Sequence, residues 1–210
     1  MHMDLKELFV ESIADNKKLI IGLYILFIIT FIISAIFTAP HMQNVTNNIT
    51  PLSSPSGNNV GPVELFIVNE WGGIFTYFAS IFFGIFAVIM ILYNGLNLGI
   101  MVPFFSNIMP NGGIMYLIYL IPHGIFEITG MVLQSTAGIV LFLFIWRFFK
   151  AWRSSDGEGA SDAFEMTKKF LIQSVMLMLI STILILIAAP IESYVSIPFS
   201  NAVMGLLGLS

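Results

Sequence analysis

The chain alternates long uncharged runs with short polar stretches. The first run, "LIIGLYILFIITFIISAIFTA" from Leu19 to Ala39, carries no charge. At ~1.5 Å per helical residue it spans the ~30 Å hydrocarbon layer of a bilayer. Ahead of it, Leu5, Leu8, Phe9 and Ile13 recur at helical spacing among Asp, Glu and Lys, which predicts an amphipathic helix over residues 1–18. That helix lies at the membrane interface or, on the plainer reading, in solvent. A second uncharged run covers Trp71 to Tyr93, and a last one covers Phe170 to Pro190. Between them, residues 94–149 hold only His123, Glu127 and Arg147 as charged or histidine side chains. This stretch is too long for one crossing. It is interrupted by Pro103, by "PNGG" at 110–113 and by Pro122.

The placement of charge sets the number of crossings. All 8 basic residues fall in two places: Lys6, Lys17 and Lys18 before the first run, and Arg147, Lys150, Arg153, Lys168 and Lys169 before the last. The excess of Lys and Arg on the inner side of membrane proteins puts both groups in the cytoplasm. Residues 40–70, which hold neither Lys nor Arg, then form an extracytoplasmic loop. Returning from that loop to Arg147 takes an odd number of crossings, and the length suits three: Trp71–Tyr93, about Leu96–Ile121 with an interruption at PNGG, and His123–Trp146. With the first and last runs the expectation is five transmembrane helices, the amino terminus cytoplasmic and the carboxyl terminus outside. The fold class is all-α, a polytopic membrane helix bundle in a single domain over residues 1–210. Residues 150–169 form a short cytoplasmic loop, with the last helix starting near Asp162, where Asp162 and Glu165 make a capping arrangement. Residues 199–209 are too short to span and lie at the outer surface or in a contact with a second copy of the chain. Two glycosylation sequons, at Asn44 and Asn48, fall in the loop assigned outside.

Composition agrees and excludes much else. Hydrophobic residues make up 57% and charged residues 10% of the 210, and the mean hydropathy is +0.92. Soluble domains are about one quarter charged. With no cysteine there is no thiolate metal site or disulfide. A net charge of −4 leaves no basic face for nucleic acid, so the expected partners are the lipid bilayer and other membrane or envelope proteins.

Polar residues inside the apolar regions are the candidates for function. His123 and Glu127 stand one helical turn apart, and Pro122 suits the start of a helix because its missing N–H needs no partner there. His123, Glu127, Gly130, Gln134, Gly138 and Leu141 form one narrow stripe, predicted to face other helices. Ile125, Ile128, Val132, Ile139 and Leu143 cover the other side, predicted to face lipid. An ionisable pair on a packing face is costly unless it is used, and a His–Glu hydrogen bond is the least such use. Glu70 and Glu192, at the outer ends of their runs, read plainly as carboxylates in headgroup water, or else as members of one cluster with the pair. Asn94 and Asn97 read as residues bonding a helix end.

These residues also carry a resemblance. "NEWGGIFTYFASIFFGIF" leading to "YNGLNLG", then "YLIPHGIFEITGMVLQSTAGIVL" and "AAPIESYVSIPF" resemble the stage II sporulation protein M family of multi-pass membrane proteins. Its pattern falls on Asn94, Gly95 and Gly99, on Pro122, His123, Gly124 and Glu127, and on Glu192. The resemblance covers most of residues 65–200. It implies a role without catalysis in envelope or membrane remodelling: the family's namesake holds a wall-degrading complex in the septal membrane during engulfment, and relatives are widespread in archaea and in bacteria that do not sporulate.

Three classes of function follow. A non-enzymatic scaffold that recruits other proteins fits the small soluble parts and the resemblance. A small-molecule or ion permease fits a crossing broken at "MPNGG". A metalloenzyme would need a third ligand beside His123 and Glu127, with His41, Glu70 and Glu192 as the candidates. No His-Glu-x-x-His block or phosphate loop is present, and the expectation is no enzyme, no metal and no cofactor.

Overall fold

The structure, a computed structural model, describes residues 4–46, 61–154 and 159–209. Its elements are α1 (Leu5–Thr46), α2 (Pro62–Ala79), α3 (Ile85–Ile108), α4 (Gly112–Ser154), α5 (Ala160–Ile191), a π turn (Glu192–Ser196) and α6 (Ile197–Leu206). Among the described residues there is no strand, so the all-α class holds. Among the described residues, four helices are long and apolar enough to cross a bilayer: Leu5–Met42, Ile85–Ile108, Gly112–Ser154 and Ala160–Leu206. α2, with 18 residues and Glu64 and Glu70 among them, is not one of these.

The expected boundaries need correction in several places. The amphipathic start and the first apolar run are one helix, because nothing between Lys17 and Leu19 breaks α1. The run Trp71–Tyr93 is not continuous. It breaks after Ala79, where Phe83 takes φ 84° and Gly84 takes φ 64°, and the T-shaped Phe75–Phe86 contact at 5.4 Å brings the two flanking helices together. The crossing expected from Leu96 to Ile121 likewise divides, at Met109–Asn111. There the chain reverses rather than interrupting one helix. Asn111 sits at φ 56°, and Phe105 stacks on Tyr116 at 5.3 Å across the turn. Gly112 and Gly113 begin α4 because no side chain fits: a Cβ would stand 2.1 Å from the Phe105 carbonyl oxygen at Gly112, and 3.0 Å from that of Val102 at Gly113. Pro122 is therefore inside α4 and not at a helix start. The loops shrink accordingly. α2 takes up residues 62–70 of the expected outer loop, while α4 and α5 take up all but the middle of residues 150–169. Residues 199–206, expected beyond the last helix, continue it through α6.

The long helices contribute to two compact units. The first comprises Met1–Tyr24, Glu70–Ile91 and Gly130–Ile183. Its centre is α4, where residues 132–138 are all buried. Val132, predicted to face lipid, is wholly enclosed, because neighbours cover this part of α4 on every side. Small residues allow that approach: a Cβ on Gly138 would lie 2.7 Å from Ser80 Oγ. Serines tie the helices together, with Ser181 Oγ donating to the Gly130 carbonyl at 2.7 Å and Ser174 Oγ lying 2.9 Å from both the Ala137 carbonyl and the Tyr77 hydroxyl. At one end of this unit Lys169 Nζ pairs with Glu11 at 2.6 Å and Asp15 at 2.9 Å.

The second unit comprises Ile25–Asn69, Leu92–Thr129 and Leu184–Ser210. In it α3 lies directly on α1. A Cβ on Gly95 would be 3.0 Å from the Phe27 carbonyl oxygen, and one on Gly99 2.4 Å from that of Phe31. Ser34 Oγ donates to the Leu96 carbonyl at 2.8 Å, and Ser200 Oγ to the Met115 carbonyl at 3.1 Å. Small residues spaced four apart let backbones meet in this way, and the hydroxyls then bond across the contact.

Candidate functional site

Two prolines and one π turn shape the polar site of the second unit. Pro122 lies inside α4 and Pro190 inside α5, and each removes a backbone donor just before the residues of interest. Past Pro190 the chain widens into the π turn Glu192–Ser196, a device common at functional sites in helices. With the wider turn, Glu192 and Ser196 at its ends both reach α4.

His123 is the centre. It is 2% exposed, and its Nδ1 lies 2.8 Å from Ser196 Oγ. Its Nε2 is 3.8 Å from Glu127 Oε2, one turn along α4. Ser196 Oγ in turn donates to the Ile191 carbonyl at 3.2 Å. The Tyr119 ring packs edge-on against the imidazole at 5.1 Å, and its hydroxyl donates to Glu192 Oε1 at 3.1 Å. One ligand-type atom from each of His123, Glu127 and Glu192 falls within 4.8 Å of the others. The arrangement can hold a proton or a cation among these three groups, with Ser196 and Tyr119 fixing the orientation of two of them.

Glu70 belongs to the first unit and is partnered there. Gln134 Nε2 donates to Glu70 Oε2 at 3.2 Å, and Thr182 Oγ1 to Oε1 at 2.6 Å. Glu70 is 7% exposed and Gln134 2%, so this carboxylate is not in headgroup water at a helix end. Gly73 gives Gln134 its room: a Cβ there would stand 2.0 Å from the amide group. Asn94 lies inside α3, not at a helix end, and Gly95 and Gly99 form its contact with α1. Gly124 packs beneath Leu120, whose side chain would be 3.1 Å from an added Cβ. Asn44 lies in the last turn of α1, and Asn48 lies outside the described residues.

Sequence reasoning missed Tyr116, Tyr119, Ser196 and Thr182. The first two were accessible: Tyr116, Tyr119, His123 and Glu127 follow one another at spacings of three, four and four, a helical stripe. Ser196 was not, because its position depends on the π turn.

Long apolar helices, small residues at their contacts and ionisable groups kept off the lipid define a polytopic membrane protein. The family model for Stage II sporulation protein M matches residues 10–197, and the chain belongs to that family. An uncharacterized protein of Methanocaldococcus jannaschii is 29% identical over 157 residues, covering 71% of this chain and 82% of that protein. No solved structure matches.

Proposed function

We propose that the chain is a non-enzymatic membrane scaffold that recruits partner proteins in envelope or membrane remodelling, with α2, whose 18 residues reach ~27 Å, as a fifth crossing beside the four longer helices, the amino terminus in the cytoplasm and the carboxyl terminus outside. The observation that carries this reading is how the interior polar groups are used. Ser34, Ser174, Ser181 and Ser200 bond the backbone of a neighbouring helix, and Glu70 is shared by Gln134 and Thr182. Such bonds fix helix positions and commit these polar groups to packing rather than to conducting a solute. The transport reading drew on a crossing broken near its middle, but Met109–Asn111 is a reversal between two helices. The described residues outside the apolar helices are few, so recruitment would act through surfaces in or beside the bilayer. α4 and α5 display Trp146, Phe149, Trp152, Phe164 and Met166 as exposed side chains near the basic cluster.

The test is purification of the full chain from its own membranes in mild detergent, with cross-linking from a photoreactive residue at Trp146 or Trp152. A stable complex with one or a few defined membrane or envelope proteins, cross-linked at these positions, is expected. A single species that cross-links only to lipid and moves a solute across reconstituted vesicles would replace the scaffold with the permease.

A further inference from the structure

Charge balance in the second unit requires explanation. All 8 Lys and Arg of the chain lie in the first unit, so no basic side chain of the second unit can neutralise Glu127 and Glu192. Their carboxylates nonetheless share a space within 4.8 Å of each other and of the His123 ring. Two like charges held this close in a medium of low dielectric need a compensating positive charge. His123 is set up to face one. Ser196 Oγ has a single proton, and both of its contacts are satisfied when that proton is donated to the Ile191 carbonyl and ring Nδ1 is the donor in the 2.8 Å contact. The Nε2 lone pair then points at Glu127, an arrangement that is repulsive unless something positive lies between them.

A second observation stands apart from the three ligand groups. The Tyr116 hydroxyl is the buried side-chain polar atom without a hydrogen-bond partner among the described residues. Tyr116 is 9% exposed and lies two helical turns before His123 on the same face of α4. Tyr116 and Tyr119 also line a cavity of about 260 Å³ with Phe105, Met109 and Ile197. Buried donors are rarely left unpaired, and a water or small ligand in this cavity would complete this one.

The geometry points to a binding site for one divalent transition-metal cation of the zinc class, held by His123 Nε2 and the carboxylates of Glu127 and Glu192. Two carboxylates and a neutral imidazole cancel a charge of +2. Ligands at ~2.0–2.2 Å from zinc stand about 3.3 Å apart in a tetrahedron, so the observed 3.8 Å between Nε2 and Oε2 closes with a small side-chain rotation. Metal-bound histidines hold their second nitrogen in a hydrogen bond, and ligating carboxylates are hydrogen-bonded in turn. Ser196 and Tyr119 supply these two contacts. The fourth position is left to a water or exogenous ligand.

The test uses the full chain, purified in detergent through a histidine-free tag, stripped with chelator and titrated with zinc chloride. Elemental analysis is expected to give one zinc per chain, with a rise in melting temperature that chelator reverses. Tyr119→Phe keeps all three ligands and is expected to weaken zinc binding about 10–100-fold, while Glu192→Gln and His123→Ala lose it. Wild-type protein that takes up no zinc would overturn the site and leave the cluster sharing protons. Stoichiometric zinc retained by Glu192→Gln would overturn it too, by placing the metal elsewhere. If either ligand variant fails to fold, the wild-type stoichiometry and the affinity of Tyr119→Phe decide. None of these outcomes bears on whether the chain recruits partners.

Discussion

Gly99 of α3 lies against the backbone of Phe31 in α1 so closely that a Cβ added to it would stand 2.4 Å from the Phe31 carbonyl oxygen and 2.7 Å from Ser34 Cβ. A backbone oxygen cannot swing aside as a side-chain end can. Gly99→Ala should force the two helices apart, disrupt the bond from Ser34 Oγ to the Leu96 carbonyl and cost about 1–3 kcal/mol. Gly95→Ala, with its nearest contacts at 3.0 Å, should cost less. Gly22→Ala meets nothing within 4 Å and should be neutral or stabilise by up to about 1 kcal/mol through helix propensity. Unfolding titrations of the three variants in mixed detergent give the order. Equal losses at Gly22 and Gly99 would count against a specific α1–α3 contact.

Glu70 is held by two donors, and its replacement should separate shape from bonding. Glu70→Gln keeps an acceptor for either Gln134 or Thr182 and should change stability by less than about 1 kcal/mol. Glu70→Leu leaves the buried Gln134 amide with an orphaned donor and should cost about 1–3 kcal/mol. Thr182 has a second acceptor in the Met178 carbonyl at 3.1 Å, so Thr182→Val should be the mildest of the losses. Thermal unfolding in one detergent ranks all three, and a Glu70→Leu protein as stable as wild type would refute the network.

The same contacts show what could be read from the sequence. The all-α membrane class was legible because uncharged runs admit few other solutions, and the His123–Glu127 pair because one helical turn joins it. The break at Ser80–Gly84 was not. Apart from Ser80 it is built from apolar residues inside an apolar run, and only Gly84 hints at a positive φ. "PNGG" was legible as an interruption, but its meaning depended on where α4 packs: Gly112 and Gly113 serve close approach to Phe105 and Val102, and the turn itself falls on Met109–Asn111. Reading Pro122 as a helix start followed from its missing N–H, yet an apolar helix tolerates an interior proline when its neighbours cover the exposed carbonyl. The third member of the polar cluster, Glu192, was visible as a residue near the pair. The π turn that delivers both it and Ser196 leaves no sequence signal beyond Pro190.

Topology is open to a direct labelling test. Cysteines placed at Asn59 and Leu206 should react with an impermeant thiol reagent in intact cells, since both lie in segments without Lys or Arg, and one at Ser155 should not. Ser200 is unsuitable because it is buried, with its hydroxyl on the Met115 carbonyl, whereas Leu206 is 87% exposed. Reaction at Ser155 alone would invert the orientation.

Ser196 joins the imidazole to the π turn, which makes Ser196→Ala a probe of the candidate site that does not alter its charges. The substitution takes from His123 Nδ1 its partner on the π turn in a buried position, and an orphaned group of this kind costs about 1–3 kcal/mol unless water replaces it. The expected result is a loss within that range, together with faster amide exchange in Glu192–Ser196 than in the middle of α5. Ser196→Thr keeps the hydroxyl and should recover much of the loss. At the other ring nitrogen, Glu127→Gln keeps the shape and offers an amide donor to Nε2, and should give folded protein in near wild-type yield, while Glu127→Leu removes the polar group and should lower it. If Ser196→Ala left stability and exchange unchanged while Glu127→Leu folded normally, the polar groups around His123 would not be holding α4 to the π turn.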